Sequence, residues 1–173
     1  DEILSELAAH PRNIDIQIGI VYYNLGNFRI ALNYLNSGLE LLKKDQLELD
    51  VAKTLSYLGI VTKHIGDFIK AQKLIEESID LYKKADQEAD RKEGVSWNFL
   101  QLGSVYNYTG DYAKAEMVLQ KSIEYYTKLY GEKHFNVAWG FAYLGNRYFL
   151  TGDYDKAILY LEKSFNIFNE LYG

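Results

Sequence analysis

The sequence predicts an all-α protein built from four copies of one helix–turn–helix unit. Two stretches are nearly identical, TGDYAKA at 109–115 and TGDYDKA at 151–157. Two weaker copies precede them, GNFRIA at 26–31 and GDFIKA at 66–71. The turn glycines of the four stretches lie 40, 44 and 42 residues apart, at Gly26, Gly66, Gly110 and Gly152. A period of this size indicates one supersecondary unit repeated along the chain.

Small residues recur at fixed distances from each of these turn glycines. A second glycine comes seven residues before the turn in every unit, at Gly19, Gly59, Gly103 and Gly145. An alanine follows five residues after the turn, at Ala31, Ala71, Ala115 and Ala157. Another small residue comes seven residues later, at Gly38, Ser78, Ser122 and Ser164. Because larger side chains would push crossing helices apart, these positions predict a close crossing within each unit.

The third unit shows how the two helices and their turn are predicted. Apolar and small residues recur at i, i+3, i+4 and i+7 between Phe99 and Tyr106, which predicts a first helix that ends at Gly110. Glycine suits the left-handed residue that ends this helix, and Asp111 suits the N-cap of a second helix running to about Tyr130. Neither helix can bury its apolar face alone, so neighbouring units are expected to stack as a solenoid.

The glycine register also sets the predicted domain organisation, a single array over residues 1–173. The predicted repeats are 12–47, 52–87, 95–131 and 137–173. The stretch DEILSELAAH at 1–10 resembles the tail of a preceding second helix, and ELYG at 170–173 matches KLYG at 128–131. Both ends are therefore expected to be cut from a longer array.

Composition excludes several classes of protein. The chain of 173 residues is 48% apolar and 25% charged, which is typical of a globular domain rather than a disordered one. It has no cysteine, which excludes disulfides, a thiol nucleophile and Cys-ligated zinc. The net charge of −5 disfavours nucleic acid and anionic membranes as partners. No apolar run approaches the roughly 20 residues of a membrane span, and we predict a cytoplasmic location.

Two segments, LQLGSVYNYTGDYAKA and FAYLGNRYFLTGDYDKA, resemble the tetratricopeptide repeat family. That family's pattern is W-x2-L-G-x2-Y, followed by glycine, an aromatic residue and alanine. The first two units match through fewer residues, and Thr62 stands where the family has an aromatic side chain. The resemblance implies a right-handed α-solenoid of helix–turn–helix repeats.

The length of the units is similar to one subtype of this family. The usual unit has 34 residues, whereas these units have 40 to 44, and a junction such as KLYGEKHFNVA at 128–138 is similar to those of kinesin light chain. The extra residues are expected between one repeat's second helix and the next repeat's first helix. The resemblance implies a non-catalytic scaffold that binds a protein or peptide in a concave groove lined by the first helices. An alternative is a regulatory or sensor domain of a larger protein, controlling an attached enzyme or DNA-binding domain.

The resemblance also implies which residues line the groove, at the second, fifth, ninth, twelfth and thirteenth places of each unit. The predicted partner-binding residues are Tyr23, Asn24, Lys53, Ile60, Lys63, His64, Trp97, Leu100, Asn107, Tyr108, Trp139, Asn146 and Phe149. The same alignment adds Asn13, Ile16, Ile20, Ser56, Ser104, Ala142 and Leu150.

The side chains of this predicted groove indicate the kind of ligand. Only the second repeat is basic, which disfavours a groove that follows phosphates. Ile16 and Ile20 stand where carboxylate-clamping repeats use Lys and Asn, so that subtype is rejected. Asn107 and Asn146 are expected to hydrogen-bond an extended backbone. Trp97 and Trp139 have two open interpretations, packing between helices or anchoring partner side chains.

No catalytic, metal or cofactor motif occurs in the sequence, and we predict that the protein is not an enzyme and binds no cofactor. His10 and His134 occupy similar inter-repeat junctions, and His64 has no second ligand at metal-binding spacing. The glycines are explained by turns and packing rather than by a phosphate-binding loop.

The last predicted helix carries an apolar stripe with no following unit to cover it. The stripe consists of Ile158, Leu161, Phe165, Phe168 and Tyr172. Uncovered apolar patches of this kind tend to bind a partner, so we predict self-association through Phe165, Phe168 and Tyr172.

Overall fold

The computed structural model describes residues 14–84 and 88–173, and within them the chain is helical apart from short turns, with no strand. The predicted tail of a preceding repeat, residues 1–10, lies outside the described residues, as do His10 and Asn13. The chain divides into two compact units, residues 1–84 and 85–173.

The first unit contains two antiparallel helix pairs. Its helices are α1, whose described part is residues 14–24, α2 (Phe28–Lys44), α3 (Glu48–His64) and α4 (Phe68–Lys84). Helix α3 packs against both α2 and α4. The core between α2 and α3 is aliphatic, with Leu35, Leu55 and Leu58 almost completely buried.

The second unit repeats this arrangement. Its helices are α5 (Glu88–Thr109), α6 (Tyr112–Tyr130), α7 (Phe135–Leu150) and α8 (Tyr154–Tyr172). Helix α5 packs against α6 and α7, and α7 packs against α6 and α8. Leu100, Leu119 and Leu144 form the centre of its core. The predicted all-α class is confirmed for the described residues.

The turns have the predicted chemistry. Gly110 has a φ of +80°, the left-handed region that glycine adopts without strain. The Asp111 carboxylate accepts a hydrogen bond from the Lys114 backbone N–H at 3.4 Å, which makes Asp111 the N-cap of α6. Asp153 caps α8 in the same way through the Lys156 N–H at 3.3 Å.

The small residues lie where the helices of each pair cross. A Cβ built on Gly145 would lie 2.7 Å from the Leu161 Cγ, so only glycine fits there without movement of α8. Ala115 is completely buried at the same kind of crossing. The serine of the pattern has a second role, because the Ser122 Oγ donates to the Ser96 carbonyl at 2.8 Å and ties α6 to α5.

The extra residues of the long units lie partly within helices rather than only between them. Helix α5 has 22 residues and begins at Glu88, seven residues before the predicted start of the third repeat at 95. Residues 88–93 contain no proline or glycine, and a Glu88–Lys92 ion pair at i, i+4 supports this first part of the helix.

The junction between α6 and α7 is different, because residues 131–134 leave the helix. Gly131 has a φ of +88°. The His134 Nδ1 accepts a hydrogen bond from the Asn136 N–H at 3.3 Å and caps α7, and its ring stacks on Tyr130 with 4.5 Å between the centroids. Burial lowers the pKa of His134, against the opposing effect of Glu93, so the ring stays neutral and able to accept. These contacts give His134 a structural role at the junction.

The crossing positions lead to a matched stability test on one helix. Ala115 is buried at the crossing, whereas Ala113, on the same turn of α6, is exposed. We expect Ala115→Leu to lower the free energy of unfolding by about 1–3 kcal/mol through overpacking, and Ala113→Leu to change it by less than about 0.5 kcal/mol. Urea unfolding followed by circular dichroism measures both, and equal losses would contradict the register.

Candidate functional site

The second unit contains a cleft of about 560 Å³ between its two first helices. Helices α5 and α7 provide most of its walls, and Tyr112 of α6 and Leu161 of α8 complete it. The residues that line it are Ser104, Asn107, Tyr108, Tyr112, Ala142, Tyr143, Asn146, Leu150 and Leu161. The structure thus brings together three predicted binding residues, Asn107, Tyr108 and Asn146.

The helical period places the lining side chains of α5 on one wall of the cleft and those of α7 on the other. Ser104, Asn107 and Tyr108 lie at i, i+3 and i+4 on α5, and Ala142 and Asn146 lie one turn apart on α7. The glycines of the two crossings, Gly103 and Gly145, are not among the residues that line the cleft. Leu161 takes part in both features, because it lies over Gly145 at the crossing of α7 and α8 and also lines the cleft.

Asn107 has a different position from the one expected for a ligand contact. It is buried, and its Nδ2 donates to the Tyr143 backbone carbonyl at 3.0 Å, which links α5 to α7. No described residue donates to its buried Oδ1. Buried polar atoms usually have a partner, so this oxygen is an acceptor available to a water or ligand that reaches the cleft floor.

Asn146 is the amide that the cleft presents to solvent. It is exposed, and its side chain makes no hydrogen bond to any described residue. An asparagine amide both donates and accepts. The other lining residues are aromatic or aliphatic apart from Ser104 and Asn107, which are buried, and none of the described residues that line the cleft is charged.

The predicted residues of the first unit form a separate aromatic and basic surface. The His64 ring stacks on Phe28 with 4.9 Å between centroids and lies 5.7 Å from the Tyr23 ring. Asn24 and Lys53 are exposed, whereas Ile60 is buried in the packing of α3. The structure therefore places Ile60 in the core rather than on an accessible surface.

Three ionisable groups in this part of the first unit, Tyr23, Lys63 and His64, have shifted pKa values. Burial lowers the pKa of Lys63 to about 8, so at neutral pH the ammonium is still mostly protonated. Burial and then the charge of Lys63 lower the pKa of His64, which leaves the imidazole neutral at pH 7. Burial, followed by the neighbouring Tyr57, raises the pKa of Tyr23. This surface thus carries one shielded positive charge beside aromatic rings.

The two tryptophans occupy different environments. Trp97 is partly buried and packs against the core of Leu100, Leu119 and Leu144, and Leu100 itself is almost completely buried. Trp139 is 45% exposed, and its ring meets Phe168 edge-on with 5.6 Å between centroids. Phe149 is exposed and contacts Tyr154 outside the cleft.

Sequence reasoning missed a polar network beside the cleft. Glu116 of α6 pairs with Arg147 and accepts a hydrogen bond from the hydroxyl of Tyr148, both on α7. The partners lie 31 and 32 residues apart on different helices, so no periodic pattern indicates them. It also missed a second cleft of about 430 Å³, whose apolar floor includes Val137, Phe141 and Ile167.

Metal sites and membrane-spanning helices were also sought in the part of the chain that the structure describes. There, no group of three or more His, Cys, Asp or Glu side chains is arranged to hold a metal ion. Within the same residues no helix combines the length and the apolar character needed to cross a bilayer.

The comparison with protein families identifies the repeat. Residues 94–170 match the family model of the tetratricopeptide repeat. This match covers 77 of the 173 residues, so it shows that the second unit resembles the tetratricopeptide repeat in sequence. The match covers α6, α7, most of α5 and nearly all of α8, the helices that form the cleft. No curated protein matches the sequence.

Solved structures of other proteins show a similar fold. BtubC (BKLC) from P. vanneervenii is similar with a TM-score of 0.75 and 20% identity, over 94% of this chain and 65% of that one. A Podosopora anserina protein named as a kinesin light chain, with nearly identical TPR-like repeats, gives 0.65 and 16% over 93% and 76%. MamA gives 0.62 and 20% over 96% and 84%. This chain thus spans about 65% of the length of BtubC.

These similarities agree with the predicted long-repeat subtype at the level of fold. At 16 to 20% identity they carry no information about partners. The tetratricopeptide fold is typically a non-catalytic scaffold, and its repeats generally mediate protein–protein interaction. The site must therefore be judged from its own residues.

Alanine variants of Trp97 and Trp139 distinguish a core side chain from a more exposed one. Trp97→Ala removes part of the core of the second unit, and we expect it to lower the free energy of unfolding by about 2–3 kcal/mol. Trp139 is 45% exposed, so Trp139→Ala removes mainly two aromatic contacts, with Tyr143 and Phe168, and should cost about 1–2 kcal/mol. Thermal and urea unfolding of the two variants measure this difference, and a larger loss for Trp139→Ala would contradict the assignment.

Proposed function

We propose that the protein is a non-catalytic interaction module and that the cleft between α5 and α7 binds an extended segment of a partner protein. The observation that carries the proposal is the cleft itself, in which an exposed amide stands among aromatic and aliphatic walls. Concave, mostly apolar sites with a few polar groups are the usual form of binding sites.

The side chains of the cleft suggest the chemistry of the bound segment. The amide of Asn146 can donate to a backbone carbonyl and accept from a backbone N–H of an extended chain. Tyr108 and Tyr112 offer rigid aromatic surface, which is typical of interface hot spots. Because none of the described lining residues is charged, a charged side chain would lose hydration without gaining a partner. The preferred segment is therefore extended and uncharged.

The remaining parts of the proposal rest on the tetratricopeptide fold. We keep the non-catalytic role and the cytoplasmic location as predictions. The alternative of a regulatory domain in a larger protein would use the same cleft, with the bound segment controlling another domain. The single array over residues 1–173 also stays a prediction.

A peptide library tests the binding proposal. We expect the immobilised protein to select peptides whose central residues are uncharged, and Asn146→Ala to weaken their binding about tenfold, as for a hydrogen bond of roughly 1–1.5 kcal/mol. Asn169→Ala, an exposed asparagine of α8 outside the cleft, is the matched control. Isothermal titration calorimetry measures both affinities.

Two outcomes would reject this proposal. Peptides that bind Asn146→Ala and the wild type equally would place binding elsewhere on the molecule. Selection of acidic peptides whose affinity falls steeply with salt would contradict an uncharged cleft, because exposed charge pairs are screened by salt.

We also propose that the protein self-associates through the apolar face of α8. Phe165 is 66% exposed and Tyr172 is 75% exposed, while Phe168 is partly covered by Trp139. One repeat earlier, Ile123 of α6 occupies the place of Phe165, and a Cβ on Gly140 of α7 would overlap it. The equivalent face of α6 is thus covered by a helix, which supports α8 as a helix-binding face.

Self-association is tested by the mass of the protein in solution. We expect multi-angle light scattering to show a mass that rises with protein concentration, and Phe165→Glu to return the protein to a monomer by placing a charge on the apolar face. Asn166→Glu adds the same charge at the adjacent exposed residue and serves as the control. A wild type that stays monomeric at millimolar concentration would reject the proposal.

A further inference from the structure

One carboxylate of α6 holds two consecutive residues of α7. The Oε2 of Glu116 lies 2.7 Å from the Arg147 Nη2, and its Oε1 accepts a hydrogen bond of 2.7 Å from the Tyr148 hydroxyl. The side chains of Arg147 and Glu116 are only 17% and 28% exposed. Both oxygens of the carboxylate therefore have strong donors in a largely dry environment. We call Glu116, Arg147 and Tyr148 the Glu116 network.

The neighbours of the Glu116 network fix its geometry further. The guanidinium of Arg147 lies 4.3 Å from the Tyr148 ring centroid, and its Nε donates to the Tyr112 carbonyl at 3.4 Å. Tyr148 stacks on Tyr160 of α8 with 5.4 Å between nearly parallel rings. Burial and the hydrogen bond to Glu116 raise the pKa of Tyr148 to about 12, so its hydroxyl remains a donor.

The Glu116 network touches the cleft on two sides. Arg147 is adjacent in sequence to Asn146, the exposed amide of the α7 wall. The Nε of Arg147 donates to the backbone carbonyl of Tyr112, and Tyr112 also lines the cleft. A shift of α7 along α6 would therefore break the Glu116 network and change the position of Asn146 relative to Tyr112.

The first unit provides an internal comparison. At the same places of its repeats, Leu32 of α2 replaces Glu116, and Val61 and Thr62 of α3 replace Arg147 and Tyr148. Leu32 packs against the apolar core that contains Val61. The fold thus accepts an apolar contact between these helices, so helix packing alone does not require the charged pair.

We propose that Glu116, Arg147 and Tyr148 are positioning residues, which fix α7 against α6 so that the walls of the cleft keep one separation. The proposal rests on the proposed binding function of the cleft. Replacing a largely buried ion pair by apolar residues is often neutral for stability, whereas its directional hydrogen bonds define one register. An apolar contact has no such direction and lets α7 slide.

The test replaces the network with the contact of the first unit. The double variant Glu116→Leu/Arg147→Val copies that contact, and Glu124→Leu/Lys128→Val, an exposed ion pair on the same helix, is the matched control. Because the chain has no cysteine, Thr109→Cys and Thr151→Cys place unique spin labels just beyond the two walls of the cleft. Electron–electron double resonance then measures the distribution of distances between α5 and α7.

We expect the double variant to keep the urea midpoint of the wild type while its distance distribution broadens about twofold. Affinity for a cleft-binding peptide should fall about tenfold through lost preorganisation. The control should change neither measurement. Tyr148→Phe keeps the stacked ring and removes one hydrogen-bond donor, so it should broaden the distance distribution less. If the double variant fails to fold, Tyr148→Phe provides the test of the proposal.

The two proposals fail in different ways. A narrow, wild-type distance distribution in the double variant and in Tyr148→Phe would overturn the positioning role. A broadened distribution in a protein that selects no peptide would support that role and reject the proposed binding function, since the distance measurement needs no partner.

Discussion

The close crossing of the two helices in each pair is the constraint on which the rest of the structure depends. At each crossing a branched side chain of the second helix, such as Leu35 or Ile75, lies over a glycine of the first, where a Cβ would collide with it. Leu35, Ile75 and Leu119 are completely buried, so their crossings contribute much of the core, whereas Leu161 at the last crossing is 45% exposed. Because the crossing uses one face of the first helix, another face is left to line a surface.

This division of faces explains what the sequence predicted well. Turn glycines, capping aspartates and crossing positions are local or strictly periodic, so they can be read along the chain, and Gly110 and Asp111 behave as predicted. Contacts between helices that depend on two single side chains leave no such pattern. The Asn107 bond to the Tyr143 carbonyl and the Glu116 network are of this kind. The start of α5 was also missed, because charged residues between repeats continue the helix.

The candidate residues carried over from the family describe a wider surface than the structure presents. Ile60 and Leu100 occupy groove positions in the alignment, yet both are buried because neighbouring helices cover them. Asn107 is buried and donates a hydrogen bond to the backbone carbonyl of Tyr143, so Asn146 is the exposed amide of the cleft. Position in a repeat thus determines the direction of a side chain, while its accessibility depends on the neighbours that this particular sequence provides.

Equivalent positions in the two units carry different chemistry on the same scaffold. The twelfth position is Lys63 in the second repeat, with its pKa lowered by burial, and Asn107 in the third, where it links two helices. Such divergence is tolerated because the crossing residues, not these ones, hold each pair together. The contact between α2 and α3 differs in the same way from the contact between α6 and α7. Leu32 packs against the apolar core that contains Val61, whereas Glu116 and Arg147 at the equivalent positions form an ion pair. Since the fold accepts either solution, a directional ion pair beside an uncharged cleft is better explained by the geometry of that cleft than by stability.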